Sequence, residues 1–183
     1  VAAAHLEAFE NIEGIAVEKA SILDGLEHGG TAILNNDCST AAILQAKAHD
    51  VRRCDVGFGE NGFDFKLLSA EVQGDITIVQ ATAHDAPLLF KVGAAGRHFA
   101  MNGLGALAAA EALGAALAIA AQSLGRWSPY QGRGAREVIC LDIVDTHLTL
   151  ELIDDSYNAN PTSMAAALEV LAAAEVTHDI GRV

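Results

Sequence analysis

The stretch Leu152-Ile153-Asp154-Asp155-Ser156-Tyr157-Asn158-Ala159-Asn160-Pro161 decides how this chain is built. The residues leading into it, His147 to Ile153, alternate polar and apolar as a half-buried strand does. The strand ends on two adjacent carboxylates, followed by a hydroxyl, a phenol and amides. Asn160-Pro161 has the pattern of an N-cap followed by proline at the first helical position. A helix then continues through Met164, Ala167, Leu168, Val170 and Leu171. Strands that end in acids and feed a helix N-terminus are a common place for α/β enzymes to hold nucleotides. By residue type alone, the same segment is equally a capped strand-to-helix turn rich in Asp and Asn.

Outward from this stretch, the spacing predicts a hairpin of Glu137–Ile143 and Leu148–Ile153 around Asp145. Before it, Gly125–Gly134 contains Trp127, Pro129 and three glycines and has the composition of a linker. Arg97–Leu124 is an Ala-rich helical stretch with a candidate break at Gly114. Upstream lie three or four strands, drawn from Val51–Gly57, Phe63–Val72, Asp75–Thr82 and Pro87–Val92. The middle ones alternate between Gly-containing turns, as an antiparallel meander does. A helix over 11–27 with Asn11 as N-cap, a short buried strand Thr31–Asn35 and a helix Thr40–His49 complete the order. Helices and buried strands in succession give an α/β class.

At 183 residues, the chain can bury one sizeable core, or one core plus part of another. Its formal charge of −13 argues against nucleic acid or anionic membrane as partners, because both favour basic surfaces. The 51% apolar content is largely alanine, and no uninterrupted run reaches the roughly 18 residues of a membrane span. Cys38, Cys54 and Cys140 are odd in number and widely spaced, so they form neither a C-x-x-C site nor a disulfide framework. Reduced thiols and a cytoplasmic location are the expectation.

Taken as a string, Asp154–Pro161 resembles the Asp-Asp-Ser-Tyr-Asn-Ala-Asn-Pro signature of the Mur ligases, in the branch that adds D-Ala-D-Ala to UDP-MurNAc-tripeptide in peptidoglycan synthesis. Other segments resemble the family in the same order. Ala4-His5-Leu6-Glu7-Ala8-Phe9 with Val17-Glu18-Lys19-Ala20 is similar to its His…Lys segment. Ile33–Asp37 is similar to its Asn-x-Asp strand end, Gly96–Asn102 to its Gly-x-His-Asn-x-x-Asn helix entry, and Gly132-Arg133 to its Gly-Arg turn. Phe99 stands where the family has Asn.

The resemblance implies that residues 1–132 are the later half of a central ATPase domain, a parallel sheet with helices plus a small antiparallel sheet. Residues 133–183 would begin a Rossmann-like C-terminal domain. It also implies an internal fragment of a longer protein. The 183 residues contain no G-x-x-x-x-G-K-[ST], and in the family that phosphate loop lies upstream of the His segment. Exposed sheet edges in such a fragment would favour self-association.

By the same resemblance, ATP and Mg²⁺ are the cofactors. His5 would help hold an Mg²⁺, and Lys19, carbamylated as in several Mur ligases, would supply an oxygen ligand. Asn102 would contact adenine and His98 would line the site. Arg133 would reach the γ-phosphate, and Asp155 would accept from the ribose hydroxyls. Tyr157, Asn158 and Asn160 would surround the phosphates and the incoming dipeptide, while Asp154 orients the turn. As isolated residues, His5 reads as an ordinary surface or core histidine, Lys19 as a solvated helix face and Arg133 as a solvent-exposed cation. Asn35 and Asp37 are common strand-end turn formers. Two other readings stay open: a sister Mur ligase or folylpolyglutamate-synthase-like amide ligase, and a non-catalytic binding module derived from one.

Overall fold

The computed structural model describes residues 9, 11–50, 54–157 and 159–174. His5, Asn158 and the C-terminal Ile180–Val183 lie outside them. α1 (Ile12–Ala20) begins at Asn11, whose side chain accepts from Gly14 N at 2.8 Å. The helix expected to reach residue 27 ends earlier and gives way to a 3₁₀ turn, Ser21–Gly25. The Ser21 hydroxyl donates to Glu18 O at 2.6 Å, a side-chain bond that competes with the helical ladder.

β1 (Thr31–Asn35), α2 (Ala41–Asp50) and β2 (Cys54–Gly59) form a βαβ unit whose strands run parallel, from Thr31↔Cys54 to Asn35↔Phe58. β3 (Phe65–Gln73) overlaps the end of β2 through only two parallel pairs, Phe58↔Phe65 and Gly59↔Lys66. Asp64 closes the tight loop between them, its carboxylate accepting from Gly57 N at 2.8 Å. β4 (Ile76–Ala83) and β5 (Ala86–Val92) then add antiparallel. The expected parallel and antiparallel parts are both present, within a single mixed sheet ordered β1-β2-β3-β4-β5.

Helices cover this sheet on both faces at its parallel end. Ala32 and Leu34 pack with Leu23 and Ala48 on one side, while Ile33 between them faces the main core. That core joins Phe65, Leu67, Val79, Phe90 and Val92 of the sheet to Ala100, Leu104, Leu107 and Ala108 of α3 (Arg97–Ala112), all nearly without exposure. α3 stops as expected around Gly114, which adopts φ +85°. Gly114 N donates to Glu111 O and Ala115 N to Ala110 O, the paired bonds of a Schellman motif. α4 (Leu117–Leu124) follows. β6 (Ala135–Cys140) and β7 (Thr149–Asp154) pair only with each other, and α5 (Pro161–Ala173) comes after them. Arg136 on β6 reaches both Asp75, at the β3–β4 turn, and Glu151 on β7. Among the described residues no helix is long and apolar enough to cross a membrane.

Candidate functional site

The entry to α3 is fixed from below by one residue. Thr77, fully buried on β4, donates its hydroxyl to Ala94 O at 2.7 Å and accepts from Gly96 N at 3.0 Å. This pins the bend from which α3 starts. His98 and Asn102 stand four residues apart and so project from one face of that helix. The Asn102 amide makes no hydrogen bond among the described residues, which leaves its donors and acceptor for a ligand. Phe99 packs against His98 and Trp127, with ring centroids 4.1 and 5.6 Å away.

A second group is assembled by Asp154, the last residue of β7. Its carboxylate accepts from Gly132 N at 2.9 Å, from Ser156 N at 3.2 Å and from the Ser156 hydroxyl at 2.6 Å. Gly134 N donates to Asp154 O and Tyr157 N to Gly132 O, at 2.8 and 2.9 Å. The linker turn and the turn after β7 are thus held together edge to edge. Gly132 has φ +77°, and a Cβ there would lie 3.1 Å from the Tyr157 Cβ, so both the backbone and the close approach require glycine. The result is that the Arg133 guanidinium sits over the Tyr157 ring, 4.2 Å from its centroid. Asp154 orients the turn, as expected from sequence, and Asp155 beside it makes no contact of this kind.

Between these two groups lies a cleft of about 770 Å³. It brings together His98, Asn102, Arg133, Asp155, Tyr157 and Asn160, from α3, the linker and the start of α5. Asn160 performs the capping expected of it. Its Oδ1 accepts from Ser163 N while the Ser163 hydroxyl accepts from Asn160 N, both at 3.0 Å. Lys19 stands on the exposed last turn of α1 and does not line the cleft. His5 and Asn158 are outside the described residues. Asn35 and Asp37 are structural: Asn35 Oδ1 accepts from Asp37 N, and the Asp37 carboxylate accepts from Glu60 N and Asn61 N. That ties the ends of β1 and β2 together.

Trp127, Tyr130 and Thr162 line the cleft but were not singled out from sequence. The aromatic pair in an otherwise Gly-rich linker was the available signal. Nothing local marked Thr77, because a threonine in a strand is ordinary.

Cleft electrostatics follow from burial and hydrogen bonding. Desolvation lowers the His98 pKa, opposed by the Asp155 and Glu169 carboxylates, so the imidazole is neutral at pH 7. The hydroxyl and backbone N–H of Ser156 hold the Asp154 carboxyl below its ordinary value, with Gly132 N adding to them. A lining that combines apolar Val92, Leu124, Phe99 and Trp127 with Arg133 and Asp155 suits a flat ring joined to a polyol and an anion. A metal is a different matter. Among the described residues, no group of three or more His, Cys, Asp or Glu is gathered to hold one.

The Mur ligase middle domain profile matches residues 1–110. The UDP-N-acetylmuramoyl-tripeptide–D-alanyl-D-alanine ligase of Escherichia coli K12 is 31% identical over 174 residues, covering 94% of this chain and 36% of that protein. UDP-N-acetylmuramate–L-alanine ligase of Streptomyces avermitilis is also 31% identical, over 93% of this chain and 35% of its own. A crystal structure of MurF from Acinetobacter baumannii superposes with a TM-score of 0.84 at 28% identity, covering 96% of this chain and 36% of that one. MurF from Thermotoga maritima in complex with ADP gives 0.76 at 23% identity, over 94% and 37%, a likeness of fold alone. The chain spans about a third of the length of these relatives. With that domain profile along its first 110 residues and relatives of about 30% identity along most of its length, the chain belongs to the Mur ligase family.

Proposed function

We propose that this chain is the nucleotide-holding part of an ATP-dependent amide ligase that joins D-Ala-D-Ala to UDP-MurNAc-tripeptide in the cytoplasm. The observation that carries the reading is the convergence of Asn102, Arg133 and Asp155 on one cleft from three separated segments. Residues 1–132 would belong to the central domain and 133–183 would begin the next one. The confinement of β6 and β7 to a sheet of their own supports that division.

In this reading Asn102 hydrogen-bonds the base and Asp155 accepts from the ribose hydroxyls. Arg133 offers a forked cation to the phosphates. His98, held neutral, lines the site without adding charge beside the anion. The reaction transfers the γ-phosphoryl of ATP to the terminal carboxylate of the acceptor, giving an acyl phosphate and ADP. The amine of the dipeptide then attacks the acyl carbon, and phosphate leaves as the amide forms. Cationic side chains that meet charge developing on the phosphoryl group lower its barrier.

Lys19, if carbamylated, and His5 are the proposed Mg²⁺ ligands. The described residues alone do not form that site.

Phosphate release by the longer protein that contains this chain tests the reading. It should require both UDP-MurNAc-tripeptide and D-Ala-D-Ala, and Asp155→Ala should raise the KM for ATP. The equal identity to the Streptomyces L-alanine ligase favours one second reading, a sister ligase. Turnover with UDP-MurNAc and L-Ala, and none with the tripeptide pair, would establish that instead.

A further inference from the structure

Arg133 differs from the other cations of the chain in what it rests on. Among the described residues no carboxylate pairs with its guanidinium, as none pairs with Lys19, Lys66, Lys91 or Arg126. Its neighbour is the face of Tyr157, 4.2 Å away. That neighbour is not free to wander. Tyr157 N donates to Gly132 O, Gly132 N donates to the Asp154 carboxylate, and Arg133 N donates to Tyr130 O. The backbones carrying the ring and the cation are therefore locked to each other one residue from the contact.

We propose that Tyr157 is a positioning residue. Its ring holds the Arg133 guanidinium at the cleft, ready for a phosphate-bearing ligand. An unsupported arginine would have to give up its rotamer freedom when the anion arrives. Resting on a ring, it has given up part of that freedom already, and no carboxylate among the described residues occupies its N–H donors. A carboxylate partner would do the reverse, occupying those donors and cancelling the charge. The inference rests on the reading that Arg133 meets phosphate and adds how it is held.

The contact uses the ring face, so the hydroxyl of Tyr157 is dispensable. Calorimetric titration of the 183-residue chain with ADP and with adenosine separates the two ideas. Arg133→Gln should weaken ADP and leave adenosine unchanged. Tyr157→Phe and Tyr157→Trp should bind ADP as the parent does or more tightly. Tyr157→Leu should weaken ADP roughly two- to fivefold, again sparing adenosine, and should add nothing in an Arg133→Gln background. The NMR shift of the Arg133 Nε proton provides a second readout. Ring current should displace it in the parent and in Tyr157→Phe, but not in Tyr157→Leu.

If Arg133→Gln weakens ADP while Tyr157→Leu does not, the positioning role is wrong and the phosphate reading stands. If Arg133→Gln has no effect, or the chain does not bind ADP, both fall together. An Arg133 proton with no ring-current displacement in the parent would overturn the inference by itself.

Discussion

Replacing Thr77 by valine removes one hydroxyl at almost constant shape, but that hydroxyl satisfies two buried backbone groups. Ala94 O loses its donor at 2.7 Å and Gly96 N its acceptor at 3.0 Å, in a site where Thr77 has no exposure and Ala94 very little. Stranding a buried polar group costs about 1–3 kcal/mol. With two such groups, Thr77→Val should destabilise the fold by about 2–6 kcal/mol. Thr77→Ser keeps the hydroxyl and loses one methyl, which should cost about 1 kcal/mol. Urea denaturation followed by circular dichroism measures both, with the midpoint shifting at constant slope. Because Gly96 is the residue before α3, any remaining folded Thr77→Val should also hold His98 and Asn102 less firmly and bind ADP more weakly than Thr77→Ser. A Thr77→Val variant as stable as the parent, with Thr77→Ser the less stable of the two, would show that packing rather than the two hydrogen bonds holds the α3 entry.

Other outcomes follow from groups already described. Asp155→Ala should weaken nucleotide binding about tenfold or more, the loss expected for a hydrogen bond to a charged acceptor, as measured by calorimetry. The 183-residue chain alone should neither hydrolyse ATP nor ligate, since its sequence has no G-x-x-x-x-G-K-[ST] motif; phosphate release above background from the purified chain would refute this. The Asp154 pKa is lowered in the folded state, so its contribution is present above the ordinary carboxylate range near pH 4 and is lost as pH falls through the lower folded value. The urea midpoint should drop over that acid range, and drop less in Asp154→Asn. His84 is the opposite case. Its hydrogen bond to Glu111, 2.7 Å long, raises its pKa, so its contribution is complete below about pH 6.5 and fades as pH rises through the folded value. A proton-NMR titration should place His84 above His98, and Glu111→Gln should bring the His84 value down.

Much of this architecture was legible because periodicity and caps are local. The strand that ends on Asp154, the Asn160-Pro161 start of α5 and the Gly114 stop of α3 all appear where the residues place them, but Leu148, Leu150 and Leu152, expected on a half-buried face, are exposed. Alternation along a strand does not reveal its neighbours. The antiparallel meander was therefore legible, but the two parallel pairs by which β3 joins it to β2 were not. The cleft was legible in outline through His98, Asn102, Arg133 and Asp155, residues whose strings resemble a family. Its supports were not. Thr77 acts on residues far along the chain, and Trp127 acquires a partner only once the linker folds back over α3.

Trp127 is the sole tryptophan of the chain, and it stands in the wall of the cleft against Phe99. Excited at the red edge of the aromatic absorption, where its two tyrosines do not absorb, the protein therefore reports from one indole, located where the linker meets α3 and remote from Leu23, Ala32, Leu34 and Ala48 on the far face of the sheet. Emission recorded during unfolding will register the lifting of that linker, whatever the remaining layers are doing. If its transition precedes the loss of ellipticity, the linker detaches as a local event from an intact sheet; if the two coincide, the linker and the mixed sheet melt as one cooperative unit.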